Sequence, residues 1–260
     1  MLRLLPALAV ALGVVLSPMA ARAACAVPET CEVTRAEIGA NDPLEDLNRY
    51  LFAVNEVFDG VFFKPVAQLY NFAVPEFGRN RVRDFLDNLG TPVILANDVF
   101  QGEFGRAGTT ISRFGINTTI GLGGLFDPAE GWGLPQHSED FGQTLGVYGF
   151  GEGPYLYLPI LGPNPPRDLF GRGVDLLLDP LTWIGGDTAD IISISTMALN
   201  AVDIRARNIE TLDELERTSI DYYAAVRSLY RQSRASAIRN GAFDYKNYEL
   251  PETIDPGDLN

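Results

Sequence analysis

The chain has 260 residues, of which 46% are apolar and 21% charged, and 34 acidic side chains against 20 lysines and arginines give a formal net charge of −14. That length suits one large domain or two small ones, and is enough to bury a core. The acidic balance argues against nucleic-acid binding, and one histidine with two cysteines argues against a multi-histidine metal site, a zinc ribbon or an iron–sulfur cluster. The composition therefore predicts a protein without a metal or other cofactor.

Residues 1–23 are predicted to be a signal peptide. Arg3 precedes an apolar run from Leu4 to Leu16, and Ala21-Arg22-Ala23 fits a cleavage site of small residues. A membrane-spanning helix needs about 20 apolar residues, so we favour export with cleavage over an uncleaved anchor. Cleavage takes the formal charge from −14 to −16, since it removes two arginines and no acid.

Residues 24–41 show no apolar periodicity and are predicted to be a tether, which holds both cysteines, Cys25 and Cys31. An exported chain meets an oxidising compartment, so a Cys25–Cys31 disulfide is one interpretation and two free thiols are another. Lipid attachment to Cys25 is a third, although Arg22 stands where a bacterial lipoprotein signal has an apolar residue.

A long helix is predicted to begin at Asp42-Pro43, because Asp is a favoured N-cap and proline suits the first helical position. Apolar residues then recur at steps of three and four, which marks one face of a helix, and Lys64-Pro65 is expected to end it. A shorter helix is predicted from Pro65 to Phe72. The apolar face consists of Leu44, Leu47, Leu51, Val54, Phe58 and Val61.

Similar helix-start signals recur along the chain. Pro75-Glu76 begins a helix that Gly90 is expected to stop, and Thr91-Pro92 begins another that ends near Gln101-Gly102. The last such signals stand at Asp127-Pro128 and Asp179-Pro180. Repeated helix starts of one chemical type predict an all-α chain.

The centre of the chain is rich in glycine. Residues 100–175 hold 17 of the 26 glycines, and in this region only Tyr155 to Leu158 has the pattern of an extended strand. Residues 104–126 keep helical spacing, are largely apolar, and carry only two charges, on Arg106 and Arg113. An apolar segment with cationic heads suits a phospholipid interface, and a helix face packed into the core is the alternative.

From Asp187 the pattern is helical again, and Thr211 with Glu214 has the spacing of a capping box ahead of a helix that ends at Asn240-Gly241. Residues 241–260 are predicted to be a flexible acidic tail. No repeat or linker interrupts residues 42–240, which are predicted to form one domain. The apolar face that follows Asp187 consists of Ile191, Ile194, Ala198, Ala201 and Ile204.

Catalytic motifs are missing from the sequence, which has no G-x-S-x-G elbow, no phosphate-binding P-loop and no H-E-x-x-H pair. His137 beside Glu139 and Asp140 is the one arrangement that suggests acid–base chemistry. We interpret Ser138 as an N-cap instead, with the two acids stabilising the positive end of a helix. No catalytic residue is therefore assigned.

An ordered set of short motifs resembles the MlaA/VacJ family, the outer-membrane component of a bacterial phospholipid transport system. The resemblance covers roughly residues 42–235, which is most of the mature chain. Its motifs are Asp42-Pro43-Leu44-Glu45 with Asn48-Arg49, Lys64-Pro65-Val66-Ala67, Asn88-Leu89 with Pro92, Asn97, Gln101-Gly102, Arg113-Phe114 with Asn117-Thr118, Gly121 with Gly123-Gly124, Asp127, Phe141-Gly142-Gln143-Thr144-Leu145-Gly146, Gly153-Pro154-Tyr155 with Leu158-Pro159, Gly162, and Arg167-Asp168.

The resemblance implies a non-enzymatic protein with a single ring-like multi-helix domain and a glycine-rich amphipathic central segment, set in the inner leaflet of the outer membrane. It implies that phospholipid misplaced in the outer leaflet passes through an amphipathic channel to a periplasmic lipid-carrier protein, in association with a trimeric outer-membrane porin. Family members are often lipoproteins, whereas Arg22 departs from a lipidation signal. This chain is therefore predicted not to be lipidated.

Site residues follow from the same resemblance. Residues 104–126 and 147–161 are predicted to face the channel or the leaflet, and Arg113 and Arg167 are candidate phosphate contacts, with an ordinary salt bridge as the alternative for each. An exported lipid-acting hydrolase that uses His137 and a periplasmic helical scaffold are the alternative functions. The residues predicted to face lipid are Phe104, Ile111, Phe114, Thr118, Leu122, Leu125, Phe126, Tyr155 and Leu158.

Overall fold

The computed structural model describes residues 42–183 and 187–241, and for residues 187–190 it describes the backbone alone. The predicted signal peptide, the tether with its Cys25–Cys31 pair, and all but the first residue of the acidic tail lie outside the described residues. The all-α prediction is confirmed, because helices make up nearly all of the described elements.

Short connections join the helices, and one small hairpin interrupts them within the described residues. In the hairpin, Tyr157 pairs with Pro163 and Leu158 with Gly162 in antiparallel register. The elements in chain order are α1 Glu45–Phe58, a π-helical turn Asp59–Phe63, α2 Lys64–Ala73, α3 Glu76–Gln101, α4 Phe104–Thr119, α5 Pro128–Gly131, α6 Phe141–Val147, β1 Tyr157–Leu158, β2 Gly162–Pro163, α7 Pro166–Leu178, a 3-10 turn Pro180–Trp183, α8 Asp187–Arg207, α9 Ile209–Thr218 and α10 Tyr222–Ile238.

The helices close into a circuit of contacts. α3 contacts α8, α8 contacts α9, α9 contacts α10, α10 contacts α6, and α6 returns to α3. Outside this circuit α4 packs along α3, α7 packs along α6, α2 packs along α8, and α1 contacts β1. This closed order agrees with the ring-like arrangement that the resemblance implied.

The first helix differs from its prediction at both ends. α1 begins three residues after Asp42, whose side chain caps no helix. The buried Asp42 carboxylate accepts hydrogen bonds from the Tyr223 hydroxyl at 2.5 Å and from Arg227 at 2.6 Å. Lys64-Pro65 does not end the helix, because the π-helical turn leads directly into α2 and the Lys64 amide donates to the Asp59 carbonyl oxygen across that turn.

α3 runs unbroken through the predicted stop at Gly90 and the predicted start at Thr91-Pro92. Packing along α4 outweighs these local signals, and Thr91 Oγ1 donates to the Asp87 carbonyl oxygen at 3.1 Å near the proline that lacks an N–H. The predicted end is confirmed, since Gly102 takes a left-handed φ of 77° as the cap, a conformation that favours glycine.

Side-chain caps confirm one predicted helix start and correct another. Asp127 accepts a hydrogen bond from the Glu130 amide at 3.1 Å ahead of α5, as expected. The cap of α6 is Asp140, which accepts from the Gln143 amide at 2.9 Å, and the prediction of Ser138 is wrong. Asp140 caps the helix instead of Ser138 because its carboxylate lies one residue before the helix, within reach of the third amide.

After α8 the chain forms two helices where one was predicted. Thr211 and Glu214 lie inside α9, so they form no capping box. Asp221 begins α10 by accepting a hydrogen bond from the Ala224 amide at 3.1 Å. Asp179-Pro180 likewise starts only a short 3-10 turn.

Polar side chains dominate the interior of the described fold, and large apolar side chains cover much of its surface. The apolar faces predicted for α1 and α8 are mostly exposed and do not form a core. This is the reverse of a water-soluble helical protein, and it is typical of helices that meet lipid outside and join through polar contacts inside. The fully buried polar side chains are Asn48, Asn97, Asp98, Asn164 and Asp203.

An aromatic cluster forms the apolar core of the described residues and joins α1, the hairpin and α10. The Phe52 ring lies edge-on to Tyr157 and Tyr223, with centroids 5.2 Å and 5.6 Å away. Asn48 fixes the hairpin to α1, because it donates to the Tyr155 carbonyl oxygen and accepts from the Tyr157 amide, both at 2.9 Å. Edge-on aromatic pairs contribute about 0.5–1.5 kcal/mol each beyond their burial.

α6 and α7 cross at Gly142 and Gly171, where no side chain separates the two backbones. A Cβ atom added at Gly171 would lie 2.3 Å from the Gly142 nitrogen, whereas one added at Gly173 meets no heavy atom within 4 Å. We expect Gly171→Ala to lower the free energy of unfolding by about 2 kcal/mol through overpacking. Gly173→Ala, the matched control, should raise it by about 0.5–1 kcal/mol. Denaturant unfolding that gave equal effects for both would contradict the close crossing.

Candidate functional site

α4 shows the reversed polarity most clearly. Its polar residues Thr110, Arg113 and Asn117 are buried, whereas Phe104 and Ile111 are exposed. A polar stripe at steps of three and four marks the inner face of a helix as clearly as an apolar stripe would. Because buried polar groups need partners, contacts between polar side chains hold this helix against its neighbours.

Arg113 lies in an ion pair, which is the alternative to the predicted phosphate contact. Its Nη2 lies 2.5 Å from Asp127 Oδ2, and its Nη1 donates to the Leu134 carbonyl oxygen at 2.5 Å. Burial alone would raise the pKa of Asp127, but hydrogen bonds from Asn117 and Arg113 hold that pKa below its usual value. Arg113 therefore fixes the segment that joins α4 to α5, and its side chain also lines a cavity with Asn88 and His137.

Arg167 is engaged in the same way. Its Nε donates to Asp168 Oδ1 at 2.8 Å and its Nη1 donates to the Phe150 carbonyl oxygen at 3.3 Å. With 7% of its side chain exposed, Arg167 also forms an intramolecular salt bridge in place of an open phosphate contact.

Most residues predicted to face lipid lie at the surface, and one prediction is wrong. The Tyr155 ring is fully buried, because Tyr155 and Tyr157 point to the same side of an extended segment and that side faces the aromatic core. Leu158 is half-buried in β1. The exposed members of the set are Phe104, Ile111, Phe114, Thr118, Leu122, Leu125 and Phe126.

Leu122 protrudes from a tight turn between α4 and α5. It has a φ of 56°, and Gly123 and Gly124 follow with φ of 75° and 91°. A Cβ atom at Gly124 would lie 2.5 Å from the Asn88 Cβ, so glycine lets this turn pack directly on α3. The side chain of Leu122 is left 66% exposed.

Three arginines near the start of α3, which the sequence analysis missed, lie beside exposed aromatic rings, and one of them, Arg81, also pairs with Asp84 at 2.9 Å. Arg81 lies 4.5 Å from the centroid of the Phe126 ring and 5.3 Å from that of Phe77. Arg81 and Arg83 line a cavity of about 520 Å³, and Arg79 and Arg83 line one of about 540 Å³. The sequence does contain a signal for this group of arginines, because Arg79, Arg81 and Arg83 stand at alternate positions shortly after Phe77 in an otherwise acidic chain. Cations beside exposed rings suit a phospholipid headgroup region.

A larger cavity of about 710 Å³ lies between α1, the start of α2, the hairpin, α8, α9 and α10, and we call it the hairpin cavity. Its walls combine apolar and charged side chains, as a site for an amphipathic ligand requires. The apolar side chains include Val57, Ile160, Leu161 and Ile204, and the charged ones are Glu56, Asp59, Lys64, Arg205, Asp213 and Glu216.

His137 lies in a polar network whose geometry differs from a catalytic array. Its Nε2 is 3.0 Å from Asp98 Oδ1 and 3.2 Å from Thr110 Oγ1. In a catalytic triad the hydroxyl and the carboxylate contact opposite ring nitrogens, whereas here both contacts involve Nε2. Thr110 also donates directly to Asp98 at 2.6 Å, so this arrangement favours a structural role for His137.

Arg234 on α10 connects the cap of α6 to α7. Its Nη1 and Nη2 lie 2.5 Å and 2.6 Å from the two Asp140 oxygens, and its Nη2 lies 3.0 Å from Asp168 Oδ1. Tyr230 donates to the other Asp168 oxygen at 2.5 Å. This network secures the contact between α10 and α6 in the circuit of helices.

The exposed apolar surface extends beyond α4 to α1, the π-helical turn, α2 and α8. Phe72 is 90% exposed and Val61 is 77% exposed, although both lie on segments whose pattern also suits core packing. Within residues 42–183 and 187–241, no helix combines the length and the apolar content needed to cross a membrane. The same residues hold no cluster of three or more His, Cys, Asp or Glu side chains arranged for a metal ion.

Comparison with known proteins gives consistent matches over most of the chain. The family model described as "MlaA lipoprotein" matches residues 40–237. The "Intermembrane phospholipid transport system lipoprotein MlaA" of Escherichia coli (strain K12) is 36% identical over 218 residues, which cover 82% of this chain and 84% of that protein. An uncharacterized protein of Rickettsia bellii is 34% identical over 212 residues, covering 81% of this chain and 80% of that one.

A solved structure agrees with these matches. It belongs to work described as "Structural basis for maintenance of bacterial outer membrane lipid asymmetry", and it superposes on this chain with a TM-score of 0.69 at 33% sequence identity. The superposition covers 76% of this chain and 98% of the other.

Proposed function

The chain belongs to the MlaA family, and from this premise we propose that it is a non-enzymatic component of an intermembrane phospholipid transport system that maintains outer-membrane lipid asymmetry. The structural observation that best supports the proposal is the reversed polarity of the fold. Polar and charged groups pair inside the fold, and apolar side chains of α1, α2, α4 and α8 face outward. Such a surface is stable against acyl chains and unfavourable against water.

The physical task explains why a dedicated protein is needed. A phospholipid exposes about 30 methylene groups, and each costs about 0.8 kcal/mol to bring into water. The resulting barrier of about 24 kcal/mol allows only about one transfer per day. A continuous apolar path must replace water along the route, and no reactive side chain is required for that.

The route and the partners are part of the proposal. Phospholipid misplaced in the outer leaflet enters an amphipathic channel within the circuit of helices and passes to a periplasmic lipid carrier. The protein lies in the outer membrane beside a trimeric porin, with which it associates. The amphipathic hairpin cavity and the arginines near the start of α3 support this route, because both combine apolar and charged surface.

Membrane attachment rests on the apolar exterior in this proposal. The relatives are named lipoproteins, but Arg22 departs from a lipidation signal here. Without a lipid on Cys25, the helices must supply the affinity for the inner leaflet of the outer membrane. Mass spectrometry of the intact mature chain distinguishes a lipidated Cys25 from a Cys25–Cys31 disulfide.

The test is complementation of a deletion in the native host. We expect cells without the chain to accumulate phospholipid in the outer leaflet and to become sensitive to detergent, and the wild-type chain to restore both. Phe72→Asp should fail to restore asymmetry, because a carboxylate in the leaflet costs about 2.5–3.5 kcal/mol. Phe72 is largely exposed, so the substitution should have little effect on folding.

Phe72→Leu is the matched control and should restore asymmetry fully, since it stays apolar. A deletion strain with an unchanged outer leaflet would contradict the transport role. Full complementation by Phe72→Asp would contradict the assignment of this surface to lipid, while leaving the transport role intact.

A further inference from the structure

The hairpin cavity has the size and the lining of a ligand site. Its volume of about 710 Å³ falls in the range of about 300–1,000 Å³ that is typical of small-ligand pockets. Val57, Ile160, Leu161 and Ile204 line part of it with apolar surface. These side chains suit the glycerol end and first methylenes of a lipid chain, while the charged part of the lining decides which headgroup fits.

Two of the four carboxylates in the cavity are already compensated. Arg205 donates to both oxygens of Asp59, at 2.8 Å and 2.7 Å. Lys64 Nζ lies 2.8 Å from Asp213, and the Lys64 side chain keeps 32% of its surface exposed. An ammonium group has three donors, so Lys64 retains donor capacity for an additional acceptor such as a phosphate oxygen.

The other two carboxylates, on Glu56 and Glu216, make no ion pair with any residue that the structure describes. Both line the same cavity, with Glu56 half-buried and Glu216 exposed, so its wall carries two carboxyl groups that lack an ion-pair partner among the described residues. Burial, followed by the charges of Asp59 and Glu216, raises the pKa of Glu56 to about 7, against the opposing charges of Arg205 and Lys64. A cation bound in the cavity would relieve this repulsion.

On the premise of the phospholipid transport proposed above, we propose that the hairpin cavity receives the headgroup of an amine-bearing phospholipid, with its ammonium at Glu56 and Glu216 and its phosphate at Lys64. A primary ammonium donates hydrogen bonds to carboxylates, which strengthens the contact beyond simple charge attraction. A choline headgroup keeps the charge but has no N–H donor. A glycerol headgroup brings no cation at all, and its lipid carries a net negative charge toward the acidic wall.

The experiment is a competition among lipids that differ only in their headgroup. The purified full-length chain in neutral detergent is mixed with equal amounts of phosphatidylethanolamine, phosphatidylcholine and phosphatidylglycerol, and bound lipid is counted by native mass spectrometry. We expect phosphatidylethanolamine to exceed phosphatidylglycerol by about fivefold, as for one solvent-accessible ionic contact. Phosphatidylcholine should fall between them.

Glu56→Gln should bring that ratio close to one while the total amount of bound lipid stays unchanged. Glu214→Gln is the matched control, since Glu214 lies on α9 with 71% of its side chain exposed and is not part of the cavity lining. Glu216→Gln is a second cavity variant that keeps the test decisive if Glu56→Gln does not fold. A ratio that survives both substitutions would overturn the proposal.

The remaining outcomes separate this inference from the transport role. Equal binding of all three lipids by the wild-type chain overturns the headgroup preference and leaves transport standing. Failure to bind any phospholipid overturns both. Displacement of bound lipid by an equal concentration of soluble glycerophosphoethanolamine would assign the cavity to a free ammonium compound and would also overturn the lipid assignment.

Discussion

Replacing Arg234 by methionine is expected to lower the free energy of unfolding by about 3–5 kcal/mol, the usual cost of removing one partner from a buried ion network. Arg234 is 14% exposed and lies within 3.0 Å of both Asp140 and Asp168. Its removal leaves Asp140, which is 34% exposed, without a cation, and leaves the buried Asp168 with Arg167 as its remaining cation. Denaturant unfolding in mild detergent, followed by circular dichroism, measures the loss.

Two controls separate the network from ordinary surface charge. Arg234→Lys keeps the charge but loses the planar fork that contacts two carboxylates, so we expect about half of the loss. Arg217→Met removes an arginine that is 76% exposed and lies 3.8 Å from Glu214, and its effect should stay below about 0.5 kcal/mol. A loss of that small size for Arg234→Met would contradict the structural role of the network.

The effect of Arg234→Met should also depend on pH. Burial alone would raise the pKa values of Asp140 and Asp168, but hydrogen bonds from Arg234, and from Arg167 to Asp168, hold both below their usual range. Groups with a depressed folded-state pKa contribute stability that is complete above about pH 4 and is lost as the pH falls through the folded-state value. The difference between wild type and Arg234→Met should therefore shrink below about pH 4.

Leu122→Asp is expected to slow phospholipid transfer by about 100-fold without unfolding the protein. An acid within apolar lipid contacts costs about 2.5–3.5 kcal/mol, and 1.36 kcal/mol corresponds to a tenfold change in rate. Leu122 is 66% exposed at a φ of 56°, a backbone conformation that Asp adopts more readily than Leu. The backbone should tolerate the change, so a loss of transfer reports on lipid contact.

The measurement is lipid transfer between vesicles by the reconstituted system, together with the melting temperature of each variant. Leu122→Asn has nearly the shape of the aspartate variant without its charge, and we expect a smaller loss of rate. Leu122→Met stays apolar and should transfer lipid at the wild-type rate. Unimpaired transfer by Leu122→Asp at an unchanged melting temperature would remove residue 122 from the lipid path.

The helical class and many helix boundaries could be predicted from local signals, whereas the direction in which helix faces point could not. The stripe from Leu44 to Val61 predicted a helix correctly, but the same periodicity describes a face packed into a core and a face turned to lipid. The two cases differ in whether the polar face on the other side of the helix is buried. On α4 the polar face carries Thr110, Arg113 and Asn117, whose side chains are all buried, and their spacing can be recognised in the sequence.

The candidate phosphate contacts show a similar ambiguity. Arg113 and Arg167 were predicted from the family resemblance with a salt bridge as the alternative, and in the structure they pair with Asp127 and Asp168. Pairing between residues distant in the chain, such as Arg205 with Asp59, leaves no trace in sequence spacing. The hairpin cavity depends on five separate segments, so its unpaired carboxylates become visible only once the fold brings those segments together.

The closed circuit of helices also constrains when the protein can mature. Its last contact joins α10 to α6, and the Arg234–Asp140 pair spans 94 residues of chain. That contact cannot form until almost the whole polypeptide has been delivered, and closing so long a loop delays folding. Until then, the apolar surface of the other helices and the carboxylates that pair with α10 are both open to water, where exposed apolar surface promotes aggregation. The interval before α10 closes the circuit is therefore the stage at which this fold is most prone to aggregate.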